Sequence, residues 1–172
     1  MTNETFQQAA ETWADTIYRV ALHALSNRAD AEDVMQTVLL KLYEHKGAFE
    51  SEAHLKHWLL RLTINESRSL LRSLRRRRWV SLDEAGEAAA PPEPEQSELF
   101  QEVMALEPKY RLTIYLYYYE QYSVKEVAQA MSAKPSTVQT WLQRARERLH
   151  AALSEEGNLC SIPTRTVNYA GR

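Results

Sequence analysis

One stretch of this chain carries no helix or strand period at all, and it decides the architecture. From Trp79 to Ser97 the sequence reads WVSLDEAGEAAAPPEPEQS, with Pro91, Pro92 and Pro94 set among acids and alanines. Such a segment buries too little apolar surface to offset the entropy of ordering it, so residues 79–97 read as a flexible acidic linker. Fully stretched, it would reach about 60 Å at roughly 3.3 Å per residue. The 172-residue chain therefore divides into a first part, residues 1–78, and a second, residues 98–153, followed by a tail, residues 154–172, of open role. Only four glycines are present, which argues against a turn-rich β fold. The expectation is an all-α protein of two small helical domains joined by this acidic, Pro-rich linker.

Helical periodicity supports that division. A first helix fits residues 5–25, with Trp13, Ile17, Val20 and Ala24 on one face. Asp30 is placed to cap a second helix lined by Val34, Val38 and Leu42, with Gly47 in the left-handed position that ends it. Ser51 can cap a third, which runs without Pro or Gly to about Arg78 and carries Leu55, Leu59, Leu62, Leu70 and Leu74 along one side. After the linker, Ser97 caps a fourth helix and Pro108 starts a fifth that includes Leu112–Tyr119. Tyrosines 115, 117, 118, 119 and 122 lie at helical spacing beside leucine and isoleucine, so they read as core and rim rather than as a base-stacking platform.

Tyr122–Leu149, YSVKEVAQAMSAKPSTVQTWLQRARERL, reads as two short helices around a tight turn. Ser123 with Glu126 three residues on forms a capping box, Ser132-Ala133-Lys134 is the turn, and Pro135 opens the next helix. Val138, Leu142, Ala145 and Leu149 form its buried stripe. Ser136, Thr137, Gln139, Thr140, Gln143 and Arg144 remain on its other faces. Hydroxyl and amide side chains at a helix start, followed by arginine, suit base edges and phosphates, and a helix-turn-helix is the reading. An ordinary helical hairpin with a solvated face is the competing one.

Charge is segregated. Seven arginines lie between Arg61 and Arg78 against Glu66 alone, whereas eight acids and no Lys or Arg lie between Ser81 and Glu107. A polyanion-binding element followed by an acidic tether fits that alternation, as do two solvated surfaces. Cys160 is the only cysteine, which excludes an internal disulfide and points to a reducing compartment. The polar N-terminus lacks the pattern of a signal peptide, and no apolar run approaches bilayer-spanning length, so a cytoplasmic location without membrane insertion is expected. His54 and His57 stand three apart, but a zinc site needs further convergent ligands, and no metal or other cofactor is expected. No Gly-rich phosphate loop or nucleophile–base arrangement suggests catalysis, so the chain is not expected to be an enzyme.

Three blocks, RADAEDVMQTVLLKLYEH (Arg28–His45), HLKHWLLRLTINESRSLLRSLRRR (His54–Arg77) and the hairpin, stand in the order found in bacterial RNA polymerase sigma factors of the small extracytoplasmic-function type. The resemblance spans about residues 10–153. It implies an initiation factor that binds core RNA polymerase at its clamp coiled coil and flap and directs it to promoter DNA, with an anti-sigma factor as a further partner. Residues 1–78 would be region 2-like and 98–153 region 4-like. The first block would press on the clamp, with Asp30, Asp33, Gln36, Leu40 and Tyr43 as polymerase-binding residues. The second would read and melt the minus-ten element through Phe49, Ser51, Asn65, Arg61, Arg68 and Arg72, with Trp58 either wedging the duplex fork or packing in the core. The hairpin would read the minus-thirty-five element through Lys134, Ser136, Thr137, Gln139, Thr140, Gln143 and Arg144. Ser132 and Lys134 depart from the family's turn, which more usually has a glycine. Linker acids Asp83, Glu84, Glu87, Glu93 and Glu95 would occupy basic polymerase surface until RNA displaces them. A polymerase-independent regulator and an RNA-binding adaptor using Arg75–Arg78 are the alternative readings.

Overall fold

The computed structural model describes residues 3–80 and 97–155. The linker acids, Cys160 and the tail beyond 155 lie outside the described residues. Seven α-helices form: α1 (Asn3–Leu25), α2 (Arg28–Glu44), α3 (Glu52–Val80), α4 (Glu98–Ala105), α5 (Pro108–Ile114), α6 (Val124–Met131) and α7 (Pro135–Glu155), and no strand occurs among the described residues. The first three pack as one bundle and the last four as another, the two-domain all-α arrangement expected from the sequence.

Local chemistry sets most boundaries. Ser51 accepts from the His54 amide at 3.1 Å and Ser97 from the Phe100 amide at 3.3 Å, so both cap as expected. At α2 the cap is Asn27, not Asp30: the Asn27 Oδ1 accepts from the Asp30 amide at 3.0 Å. Asp30 instead lies in the first turn, where its carboxylate complements the helix dipole. Gly47 does not take the left-handed role expected of it, since α2 ends at His45 with φ −64°. Its lack of a side chain matters differently: a Cβ there would meet the His45 ring at 2.7 Å.

The run Leu112–Tyr119 departs from a single α-helix. It leaves α5 at Ile114 and widens into a π turn over Tyr115–Tyr119, with the Glu120 amide donating to the Tyr115 carbonyl at 3.2 Å. Tyr115, Leu116 and Tyr117 are all buried, because both α1 and α6 pack against this segment. Successive burial of that kind suits a wider turn. Gln121, at φ 60°, then ends the segment.

Apolar packing falls into two clusters. One is confined to the N-terminal bundle, around Ile17, Ala31, Val34, Val38, Leu42 and Leu59. The other is centred on Leu116, Val127, Val138 and Leu142 but takes in Val20 and Ala24 of α1 and Leu60 and Ile64 of α3. The two bundles therefore meet along a shared seam. Three polar ties cross it. Arg111, only 4 % exposed, donates to the carbonyl oxygens of His23 and, at 3.4 Å, of Ala24 at the end of α1. It also donates to the carbonyls of Met104 at 2.5 Å and Leu106 at 3.1 Å at the end of α4. Lys56 of α3 pairs with Glu120 at 3.2 Å, and Arg68 of α3 donates to the Met131 carbonyl at 2.9 Å. His23 stacks on Tyr115 with ring centroids 4.1 Å apart.

Candidate nucleic-acid interface

The helix-turn-helix is built by caps and a turn. Ser123 and Glu126 cap each other reciprocally: the Ser123 amide donates to the Glu126 carboxylate at 2.7 Å, and the Glu126 amide to the Ser123 hydroxyl at 3.3 Å. The Ser123 hydroxyl, which also donates to that carboxylate, and after it the Ser123 amide hold the Glu126 pKa below its usual value. Ser132 closes α6 in the left-handed conformation, φ 53° and ψ 46°, and Pro135 stands at the first position of α7. Val138, Leu142, Ala145 and Leu149 are buried as the apolar stripe.

The opposite face is open to solvent. Ser136, Gln139, Thr140, Gln143 and Arg144 are exposed, as is Lys134 in the turn, while Thr137 is half-buried. Two of these side chains already have partners within α7. Thr140 donates to the Ser136 carbonyl at 3.0 Å, and Gln143 to the Glu147 carboxylate at 2.9 Å. A single helix face thus offers hydroxyls, amides and a guanidinium at groove-reading spacing.

The second surface lies on α3. Arg61, Asn65 and Arg72 are exposed along one side at intervals of four and seven residues, a stripe of two cations around an amide. Arg68 belongs to the same stripe by spacing, yet the bond to Met131 half-buries it. Loss of water, and to a lesser extent the nearby Arg72, lowers its pKa. Beside the start of α3, Phe49 stacks on His45 at 4.7 Å and meets the edges of Trp58 at 5.4 Å and His54 at 5.7 Å. Phe49 and Trp58 are half-buried in this cluster, so Trp58 keeps both core contacts and an outer edge. The Ser51 hydroxyl is committed to capping. The side chains of Arg75–Arg78 lie outside the described residues.

A third surface runs along α2. Asp33, Gln36, Leu40 and Tyr43 are exposed on one side, with Asp30 half-buried at its start. Leu40 at 57 % and Tyr43 at 53 % are two of three large apolar side chains with such exposure among the described residues.

Sequence reasoning missed several residues around these surfaces. His45 and His54 flank Phe49, and only their nearness in sequence to the aromatic could have signalled it. Lys56, Arg111 and Glu120 look like ordinary surface charges in the sequence, because their partners lie on distant segments. Among the described residues no three His, Cys, Asp or Glu side chains converge as a metal site, and no helix is long and apolar enough to cross a membrane.

A helical chain that carries a basic-and-amide stripe on one bundle and a helix-turn-helix on the other is a two-domain DNA-reading protein. Comparison with known proteins makes the class specific. Residues 9–78 match the family model for sigma-70 region 2, and residues 97–149 the model for sigma-70 region 4. The ECF RNA polymerase sigma factor SigW of Bacillus subtilis (strain 168) is 23% identical, over 88% of this chain and 90% of the relative. The RNA polymerase sigma-E factor of Streptomyces coelicolor is 28% identical, over 86% of this chain and 85% of the relative. Among solved structures, the sigma factor RpoE of Bartonella quintana, in complex with the anti-sigma factor NepR, shares the fold with a TM-score of 0.74 and 24% identity, covering 88% of this chain and 98% of that one. The chain belongs to the sigma-70 family, as a sigma factor of the extracytoplasmic-function type. Its function is promoter-specific transcription initiation together with core RNA polymerase, as a regulatory initiation subunit.

Proposed function

We propose that the N-terminal bundle, residues 1–78, binds the polymerase clamp and reads the minus-ten element, and that residues 98–153 read the minus-thirty-five element. The observation that carries this reading is the pair of solvent-open faces: Arg61, Asn65 and Arg72 on α3, and Ser136, Gln139, Thr140, Gln143 and Arg144 on α7. An amide flanked by arginines can take a base edge while its neighbours hold phosphate. Phe49, with Trp58 behind it, offers a stacking face for a base that has left the duplex. Lys134 and Thr137 flank the start of the recognition helix, where phosphate contacts fix its register.

The exposed α2 face, with Asp30, Asp33, Gln36, Leu40 and Tyr43, is the polymerase-binding surface in this reading; exposed apolar side chains rimmed by acids suit a coiled-coil partner. Linker acids from Asp83 to Glu95 belong to the same proposal as temporary occupants of basic polymerase surface. The relative of known structure is held by an anti-sigma factor, and an anti-sigma partner is proposed here on that likeness.

Run-off transcription with core enzyme on promoters varied at each element tests the assignment. Arg144→Ala should weaken upstream-element binding by roughly 1–3 kcal/mol, and only for promoters with the preferred base, if Arg144 reads a base edge. A uniform loss across sequences, with the salt slope smaller by about one unit, would make it a phosphate contact. An unchanged upstream preference would remove α7 from the reading.

A further inference from the structure

We propose that His45 is a positioning residue for strand opening: its imidazole, seated on Gly47, sets the angle at which Phe49 meets the base that leaves the duplex. This deepens the minus-ten assignment above and rests on it. Phe49 belongs to residues 45–51, which join Glu44 at the end of α2 to Glu52 at the start of α3. Lys46, Gly47, Ala48, Glu50 and Ser51 are exposed, so the core does not hold this loop from within. His45 and Phe49, both half-buried, are the two members that turn inward.

The grip on Phe49 is asymmetric. The His45 ring lies nearly parallel to it, with 23° between planes and 4.7 Å between centroids, and also reaches Trp58 of α3 at 5.0 Å. Phe49 meets Trp58 in turn at 5.4 Å and 62°. The three rings form a closed triangle. One face of Phe49 is spent on His45, and the rest of the half-exposed ring is left to a base. Gly47 makes room for this arrangement, since a Cβ there would stand 2.7 Å from the His45 Nε2 and 3.2 Å from its Cε1. The backbone at Gly47 takes no positive φ, so close approach of the imidazole is the demand that glycine meets. At the far end of the loop, the Glu50 amide donates to the His54 Nδ1 at 3.4 Å, and the His54 amide to the Ser51 hydroxyl at 3.1 Å. The loop is therefore pinned on both sides of Phe49, by a stack before it and by hydrogen bonds after it. A flat ring stacks on a base only when the two planes are parallel. Without His45 the Phe49 ring regains its rotamer freedom, and each encounter with an unpaired base must first order it.

Gly47 gives the decisive experiment, because Gly47→Ala removes no side chain and acts through the clash with His45. Core polymerase is combined with the full chain, and 2-aminopurine placed in the minus-ten element reports unstacking by its fluorescence. Gly47→Ala and His45→Ala should each lower the extent of opening by roughly three- to tenfold, the worth of one aromatic pair in an equilibrium. Both should leave closed-complex affinity unchanged and narrow the preference between bases at the unstacked position. His45→Phe, which keeps a flat ring, should recover most of the opening. In the His45→Ala background, Gly47→Ala should add nothing, since the ring it strikes is gone. Wild-type opening by Gly47→Ala, additive losses in the double variant, or an equal loss of closed-complex affinity overturns the positioning role. Should His45→Ala fail to fold by circular dichroism, Gly47→Ala alone decides. Phe49→Ala separates this role from the reading beneath it. If Phe49→Ala opens as wild type does, the minus-ten assignment fails and the positioning role falls with it. If Phe49→Ala is defective while Gly47→Ala and His45→Ala are not, the positioning role alone falls.

Discussion

The two surfaces proposed to face DNA are made in different ways. The hairpin of α6 and α7 is specified by neighbours in sequence: a capping box, a left-handed serine, a proline at the first helical position and an apolar stripe, all within Ser123–Leu149. The α3 surface is specified by contacts between segments. Phe49 is held by His45 from the end of α2 and by Trp58 from α3, and Arg68 is held by a carbonyl from the other bundle. A locally encoded surface keeps its shape wherever the chain places it, whereas a surface built from distant parts changes when those parts move. On the proposed reading, this makes the C-terminal surface a self-contained module and the N-terminal one conditional.

The sharpest way to break that comparison is to remove the stripe holding the hairpin together. Leu142 is buried among α5, α6 and α7, and Leu142→Ala should destabilise the C-terminal bundle by about 2–5 kcal/mol through lost transfer energy and the cavity left behind. Hydrogen exchange should then accelerate across α5–α7 while α2, whose buried residues lie in the other cluster, keeps its protection. Equal acceleration in α2 would mean the bundles melt as one unit, and the modular picture would be wrong.

A second measurement probes the seam through pH. His23 is 6 % exposed, and burial lowers its pKa from 6.5 to about 4 despite the bond from its Nδ1–H to the Arg19 carbonyl, with Arg111 and Arg19 disfavouring the cation further. The folded state therefore holds fewer protons on this ring than the unfolded state between those values. The resulting stability is fully present above pH 6.5 and is lost as pH falls towards 4, by at most about 3 kcal/mol at 1.36 kcal/mol per unit. Chemical denaturation from pH 7 to 4.5 should show this slope, and His23→Gln should flatten it. An unchanged slope in the variant would assign the acid sensitivity to other groups.

How far the sequence foretold all this follows the same division. Caps at Ser51, Ser97 and Ser123, the helix starts at Pro108 and Pro135, and the stripe from Val138 to Leu149 were legible, because each depends on residues within a turn or two. The cap at Asn27 was misread as Asp30, since either residue could accept a backbone amide and only the backbone path decides between them. Gly47 was misread because glycine serves close approach as well as positive φ, and here the His45 ring is what it accommodates. The π turn and the seam were illegible: Arg111, Lys56 and Glu120 show no periodic signal, and their partners lie tens of residues away. The exposed polar faces of α3 and α7 were legible as patterns of side chains, but the tie from Arg68 to Met131 was not.

The smallest expected effect sharpens the local side of the comparison. Ser132 holds φ 53°, a conformation in which a Cβ crowds the following carbonyl at a cost of roughly 1–2 kcal/mol, and glycine takes it freely. Ser132→Gly should relieve that strain, but glycine also gains freedom in the unfolded chain, which returns part of the benefit. The net expectation is stabilisation of about 0.5–1 kcal/mol, seen as a small rise in the denaturation midpoint without a change in slope. If the hairpin is as locally determined as its caps suggest, the substitution should leave upstream-element preference intact, because the direction of α7 is set by Pro135 and by the buried stripe rather than by the identity of the turn residue. A changed preference would mean that Ser132 sets how α7 meets the groove, and the hairpin would then be less self-contained than its hydrogen bonds suggest.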